Sequence, residues 1–326
     1  MNNNLLNIRN LSIDFFTSRG RLKAVRNVDL SVPSGKIVGL VGESGCGKST
    51  LAFSIVQLLS QNANVRSGVI NFEGRDILKV SRAELRAIRG NRISIVFQDP
   101  LTSLNPILSI GTQMIDIQHR VNLSKADKRK RAVKMLTQIG IPDAEQRLSN
   151  YAHQFSGGML QRISIAMALM VEPSLLIADE PTTALDATLE AQIIDLLREL
   201  QLKFNCSILY VSHHLGVIAE LCDNVVVMYA GTVVEEGTVR DIFHRASHPY
   251  TKALVECDPA RIEKKTRNLP TIPGEIPDLV QLPSGCIFKN RCPSVFERCY
   301  NHAPSSHQLS ETHFIKCFLL ESGGRA

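Results

Sequence analysis

A run of apolar residues, Ile37-Val38-Gly39-Leu40-Val41, leads straight into Gly42-Glu43-Ser44-Gly45-Cys46-Gly47-Lys48-Ser49. No other segment restricts the fold as much. An unbroken apolar run of this length fits a strand buried on both faces, as in a sheet covered by helices on each side. The glycines let successive backbone N–H groups point inward as a nest for phosphate oxygens. A helix is expected to open at Ser49-Thr50-Leu51 and run to about Leu59, adding the positive end of its dipole to the same nest. Lys48 is then placed to reach the β and γ phosphates of a nucleotide, and Ser49 offers a hydroxyl to Mg2+. Cys46 fills the variable position of the loop and reads as a small residue that contributes its backbone.

Before this unit the chain reads as β structure. Leu11, Ile13 and Phe15 alternate with Ser12 and Asp14, Ser18-Arg19-Gly20 makes a turn, and Val28, Leu30 and Val32 alternate again. After it, a second apolar strand, Ile93–Phe97, delivers Gln98. Residues from about 105 are polar, basic and helical in pattern, with Ala132, Val133, Leu136 and Ile139 on one face and Gly140 as a stop. Phe155-Ser156-Gly157-Gly158 opens another helix, a second anion site built from a hydroxyl, glycine N–H groups and a helix dipole. Strand Leu175–Ala178 delivers Asp179 and Glu180. Asp179 is placed for a hydrated Mg2+, and Glu180 for general-base work on a water. A helix over Leu189–Phe204 carries Ile193, Leu196, Leu197 and Leu200 at helical spacing. Strand Ile208–Val211 then leads to His213 and His214, and Val225–Tyr229 with Thr232–Glu236 forms a hairpin across Ala230-Gly231.

A glycine phosphate loop, an isolated glutamine, a Ser-Gly-Gly turn, an acidic strand end and a switch histidine, in this order, resemble an ATP-binding cassette (ABC) ATPase over about residues 5 to 250. The resemblance implies an α/β, P-loop NTPase cassette with an N-terminal antiparallel β subdomain and an inserted α-helical subdomain at about residues 105–170. It also implies that Ser156, Gly157 and Gly158 cap the γ-phosphate held by a partner chain, that Asp186 of Ala184-Leu185-Asp186 crosses the dimer seam, and that His213 contacts the γ-phosphate. Gln98 would touch both Mg2+ and the lytic water. Phe15, with Phe16 as the alternative, is the candidate for stacking on adenine. His214 stands where the family usually has Asp, and Phe155 and Met159 stand where Leu and Gln are commonest. Asp99-Pro100-Leu101-Thr102-Ser103-Leu104-Asn105-Pro106 looks like the segment of peptide-importer ATPases that faces the membrane subunits.

From about residue 258 the texture changes. Prolines 259, 270, 273, 277, 283, 293 and 304 crowd a segment that also holds Cys286, Cys292, Cys299 and Cys317. A loop-rich stretch of this kind needs a staple. Together with His248-Pro249-Tyr250-Thr251, it resembles the C-terminal extension of dipeptide, oligopeptide and nickel importer ATPases. Residues 1–257 are therefore expected to form the cassette and 258–326 the extension. The spacing Cys-x5-Cys-x6-Cys-x17-Cys lacks the short pairs typical of structural zinc. Similar subunits carry a [4Fe–4S] cluster, which implies one here, with zinc, helped by His302, His307 or His313, as the alternative. Cys206, Cys222 and Cys257 read as ordinary small residues.

The net charge of +6 concentrates in Lys125, Lys128, Arg129, Lys130, Arg131 and Lys134, a pattern that fits a solvated helix face. No aromatics interleave with it, so no nucleic-acid partner is expected. No apolar run approaches the roughly 20 residues needed to cross a bilayer, and the N-terminus lacks the apolar segment of an export signal. The expected role is thus ATP hydrolysis that powers import of di- or oligopeptides, nickel or another small solute. Its site would be the cytoplasmic face of the cell membrane, held peripherally. The expected partners are a second, different ATPase chain, two integral membrane permeases and a substrate-binding protein. A soluble ABC ATPase acting on DNA or ribosomes is the rival, but such proteins tend to carry long coiled coils or two cassettes in one chain, and neither is present.

Overall fold

The computed structural model describes residues 4–183, 185–258 and 269–320. It divides into two compact units, Met1–Val80 with Tyr210–Ala326, and Ser81–Leu209.

The first unit begins with β1 (Asn4–Thr17) and β2 (Gly20–Pro33), an antiparallel pair closed at Thr17 opposite Gly20. The buried strand β3 (Ile37–Val41) and helix α1 (Lys48–Ile55) flank the phosphate loop. β4 (Ala63–Phe72) and β5 (Arg75–Asp76) complete a four-stranded sheet in the order β2-β1-β4-β5. The alternation expected in β1 does not hold throughout. Register shifts between Leu11 and Ile13, and between Ile13 and Asp14, turn the Asp14 side chain inward, because each extra residue in a bulge swaps the faces of the residues after it. Asp14 is 2% exposed and is paired by Arg21 at 2.6 Å and Arg66 at 3.5 Å. Helix α1 stops short of Leu59: Val56 leaves helical geometry and Gln57 takes a left-handed φ of 48°.

In the second unit, α2 (Arg82–Ile88) starts on a capping box between Ser81 and Glu84. Strand β6 (Ile93–Val96) is followed by α3 (Pro100–Ser103), α4 (Ile110–Asp116), α5 (Lys125–Gln138) and α6 (Ala144–Arg147). Ala132, Leu136 and Ile139 are buried as expected, and Gly140 adopts a φ of 74° past the end of α5. The basic run lies on α5, where Arg129 meets Glu145 at 2.8 Å and Arg131 meets Glu172 at 3.1 Å. Helix α7 (Gly157–Met170), β7 (Leu175–Asp179) and α8 (Ala187–Phe204) follow, and β8 (Ser207–Ser212) carries the chain back toward the first unit. β6 and β7 are parallel, with Ile95 opposite Ile177. Val96 and Asp179, ending their strands, therefore lie at the same end of the sheet.

The chain returns to the first unit through α9 (Leu215–Leu221), β9 (Asn224–Tyr229), β10 (Thr232–Thr238), α10 (Val239–His244) and α11 (Pro249–Glu256). β9 runs parallel to β3, with Leu40 opposite Val226, and turns into β10 at Ala230-Gly231. The proline-rich segment then forms a 3-10 turn at Lys289–Arg291, α12 (Glu297–Asn301), β11 (His307–Gln308) and β12 (Phe314–Ile315). β12 pairs with β10, placing Ile315 opposite Glu235. The tail thus adds two short strands to the edge of the sheet that carries the phosphate loop. Among the described residues no helix is long and apolar enough to cross a membrane.

Candidate nucleotide site and the cysteine pocket

The phosphate loop is shaped by contacts that tolerate no side chain at two of its glycines. Gly42 has a φ of 154°, and a Cβ there would lie 2.1 Å from the Met228 carbonyl oxygen. At Gly47, with a φ of 102°, a Cβ would lie 2.4 Å from the carbonyl oxygen of Ala24. Neighbouring backbone fills the space, so glycine is required for room as well as for conformation. Lys48 is 5% exposed, and its Nζ donates to the carbonyls of Gly42 at 2.8 Å and Glu43 at 3.1 Å. Ser44 and Gly45 form the exposed tip, while Ser49 and Thr50 are half-buried in the first turn of α1. Cys46 is fully buried and burial pushes its thiol pKa up. Its backbone bonds to Glu43 and Gly231 match the expected backbone role. Phe15 is half-buried in β1 opposite Leu22 and Ala63, and Phe16 is 59% exposed. His213 is exposed, its ring 4.4 Å from that of His214.

In the second unit Asp179 ends β7 and is 4% exposed. Glu180 follows with a left-handed φ of 47°. A non-glycine residue in that region costs about 1–3 kcal/mol and persists where the surroundings fix it. Here the Gln98 amide Nε2 and the Thr183 hydroxyl each donate to Glu180 Oε2 at 3.2 Å. The structure thus brings together Gln98 and Glu180, which lie 82 positions apart. Thr183 is a third member that the sequence reading missed. Ser156 caps α7 by accepting from the Met159 N–H, and Asp186 caps α8 by accepting from the Leu189 N–H at 2.9 Å. A Cβ on Gly158 would lie 2.9 Å from Leu189 Cδ1, so this glycine lets the Ser-Gly-Gly turn start against α8. Ala184 lies outside the described residues.

The four tail cysteines line one cavity with His248, Phe288 and Phe318 among its walls. Burial pushes the thiols of Cys286, Cys292 and Cys317 up, that of Cys317 to about 11, and charge on neighbouring thiols adds to each shift. All four are free thiols. Among the described residues no group of three or more His, Cys, Asp or Glu could hold a metal ion, so the structure does not support the expected cluster or zinc site. The histidines considered as spare ligands do not line the cavity. His313 Nε2 donates to Glu235 Oε1 at 2.7 Å, and His307 bonds Ser305. The histidine that does line it, His248, accepts the Tyr250 N–H on Nδ1 at 3.0 Å, and burial pushes its pKa down to about 3. The neutral ring therefore carries its proton on Nε2, with no lone pair for a metal. The sequence reading also missed Arg291. Its guanidinium holds the Glu43 carboxylate of the phosphate loop at 2.7 and 2.9 Å, and Tyr250 Oη accepts the Glu43 N–H at 2.9 Å.

Comparison with known proteins gives the family. The ABC transporter family matches residues 25–183, and the "Oligopeptide/dipeptide transporter, C-terminal region" family matches residues 234–299. The dipeptide transport ATP-binding protein DppD of Bacillus subtilis is 46% identical, over 97% of this chain and 95% of its own length. The oligopeptide transport ATP-binding protein OppD of Salmonella typhimurium is 44% identical, over 97% and 94%. Among solved structures, a dimeric ATP-binding cassette in a post-hydrolysis state with ADP and Pi matches with a TM-score of 0.64 and 27% identity, over 72% of this chain and 99% of that one. The cbiO1 protein of Clostridium perfringens, part of the transporter complex cbiONQ, matches with a TM-score of 0.63 and 30% identity, over 75% and 92%. The fold is that of an ABC ATPase cassette with an antiparallel β subdomain and helical parts. The chain belongs to the ABC transporter family, among the ATP-binding subunits of dipeptide and oligopeptide importers.

Proposed function

We propose that this chain binds and hydrolyses ATP to power the import of di- or oligopeptides through a membrane transporter. The observation that carries the reading is Glu180, held in a strained conformation at the end of β7 with its carboxylate fixed by Gln98 and Thr183. In this assignment Gly42–Thr50 cradle the phosphates, Lys48 neutralises the β and γ oxygens, and Phe15 stacks on the base. Ser49, Gln98 and Asp179 would hold Mg2+, which supplies charge neutralisation on the triphosphate when bound. Glu180 accepts the proton of a water whose oxygen attacks the γ phosphorus, the bond to the β,γ-bridging oxygen breaks, and ADP leaves with phosphate. His213 steadies the γ-phosphate. Ser156, Gly157, Gly158 and Asp186 serve the ATP bound by a second ATPase chain.

The other assignments share this footing. Residues 1–257 form the cassette and 258–326 an extension. Two permeases and a substrate-binding protein complete a transporter in which this chain sits peripherally at the cytoplasmic face. The four tail thiols fit a [4Fe–4S] cluster, with zinc as the alternative, in number and in softness. The raised pKa values of Cys286, Cys292 and Cys317 fit as well, since burial disfavours thiolates that a metal would restore. The sulfurs would have to draw together to ligate. Iron and acid-labile sulfide in anaerobically purified protein would support the cluster, and zinc alone would support the alternative. Neither metal would sink both. For the ATPase itself the test is Glu180→Gln in the assembled transporter, where hydrolysis should fall roughly 10²–10⁴-fold. Unchanged turnover would refute the assignment.

A further inference from the structure

We infer that Arg291, in the cysteine-bearing tail, is a positioning residue for the nucleotide: it fixes the Glu43 carboxylate within the phosphate loop and cancels its charge. The inference rests on the nucleotide-binding reading of that loop.

Three observations support it. The first is that the Arg291 fork is preassembled. Its side chain is 4% exposed, Nε donates to the Pro273 carbonyl at 2.8 Å, and Nη2 donates to the Ile272 carbonyl at 3.1 Å. Both Nη atoms also reach the two oxygens of Glu43, and Nη1 lies 3.4 Å from Tyr229 Oη. A bidentate pair of this geometry is directional as well as strong. The second is that Glu43 is held at every polar group. Its N–H goes to Tyr250, its carbonyl accepts from Lys48 and from the Cys46 N–H, and its carboxylate goes to Arg291. Moving the carboxylate therefore moves the backbone that carries the Lys48 contact. The third is electrostatic. A triphosphate is strongly anionic, and an unpaired carboxylate in the loop that binds it would oppose binding. The guanidinium removes that opposition without itself being free to bind phosphate.

The same contact gives the tail a hold on the loop. Arg291 sits in the turn Lys289–Arg291, between Cys286 and Cys292. Phe288, whose carbonyl accepts the Arg291 N–H at 3.0 Å, packs 5.1 Å from Tyr229 and 5.4 Å from Tyr250. The residues that shape the cysteine cavity thus also support the two tyrosines beside Glu43.

The test uses the full-length chain with Mg2+ and a fluorescent ATP analogue, with thermal unfolding followed in parallel. Arg291→Gln leaves Glu43 uncompensated and should weaken binding roughly tenfold, as expected for one partly buried charge left unpaired. Glu43→Gln keeps a hydrogen bond to Arg291 and sheds the negative charge, so its affinity should be at least that of the parent. The double variant should recover most of the loss, a rescue that a merely structural role would not produce. Parental affinity in Arg291→Gln, or a double variant no better than the single, overturns the inference. Should Arg291→Gln fail to fold, Arg291→Lys carries the test. Affinity kept together with the charge supports the inference, and a loss as large as that from Lys48→Ala overturns it. Should Lys48→Ala bind as well as the parent, the nucleotide reading of the loop itself fails.

Discussion

The phosphate loop holds its shape largely through contacts inside Gly42–Ser49 and to backbone packed against its glycines. The tail is held differently. Arg291 reaches Glu43 across 248 positions, and His313 reaches Glu235 across 78. These two tail anchors, beside the β10–β12 pairing, are charged or polar side chains gripping carboxylates, with a side-chain exposure of only 4% at Arg291 and 6% at His313. One segment is stiff because its backbone has nowhere to go. The other is stiff because a buried charged or polar group must be paired, and each anchor matters only while its partner is in place. Both depend on distant segments: Met228 and Ala24 supply the backbone that crowds the glycines, but the first kind of constraint needs only backbone, whereas the second needs a particular side chain.

Gly42→Ala attacks the loop where backbone decides. The added methyl meets the Met228 carbonyl in a conformation L-residues avoid, so a loss of more than about 3 kcal/mol is expected, together with nucleotide binding. Near-parental melting and binding would show that the loop is not backbone-determined. On the tail side, His313→Ala removes one donor from Glu235, which also accepts the N–H groups of Ser247 and His248. The expected cost is about 3 kcal/mol, read by urea titration. A loss below about 1 kcal/mol would mean that this anchor is dispensable.

Glu236, beside that anchor, gives a pH-dependent contrast. Burial pushes its carboxyl up to about 7 from an ordinary 4.5, the Asp29 charge adds to the shift, and Lys316 opposes it. The folded chain therefore keeps a proton there that the unfolded chain has already released. This contribution to stability is complete below about pH 4.5 and is lost as pH rises through 7. Glu236→Gln should thus be more stable than the parent at pH 8 by about 1–3 kcal/mol, with the difference shrinking toward pH 5. An equal difference at both pH values would contradict the burial argument. The smallest effect belongs to Lys130→Ala on the exposed face of α5, where the pair with Asp127 at 3.7 Å is solvated. A change within about 0.5 kcal/mol is expected, and a larger one would mean that the basic face is covered in the working protein.

Where neighbours along the chain set the geometry, the sequence reading held closely. β3, the loop, the α5 stop at Gly140, the buried stripe of α8 and the Ala230-Gly231 turn all follow from period and turn chemistry. His248-Pro249-Tyr250 was legible as a family motif, but its physical content was not. The His248 ring accepts the Tyr250 N–H at the start of α11, with Pro249 in the first turn, and Tyr250 then delivers its hydroxyl to Glu43. Alternation with Leu11, Ile13 and Phe15 predicts an outward Asp14 only for an unbroken register, and the bulges of β1 break it. Thr183 could have been suspected only from standing near the acidic pair, since a threonine in a turn has many uses.

By itself, the sequence determined the cassette elements, the phosphate loop and the acidic pair Asp179-Glu180. These rest on hydrophobic period, glycine placement and strand ends, all of which can be read within a few residues. Tertiary structure alone decided which carboxylate each buried cation holds, which face Asp14 takes, and that the four tail thiols share one cavity with His248. The physical reason is that pairing a buried charge is nearly obligatory, while the identity of its partner is fixed only when distant segments pack together.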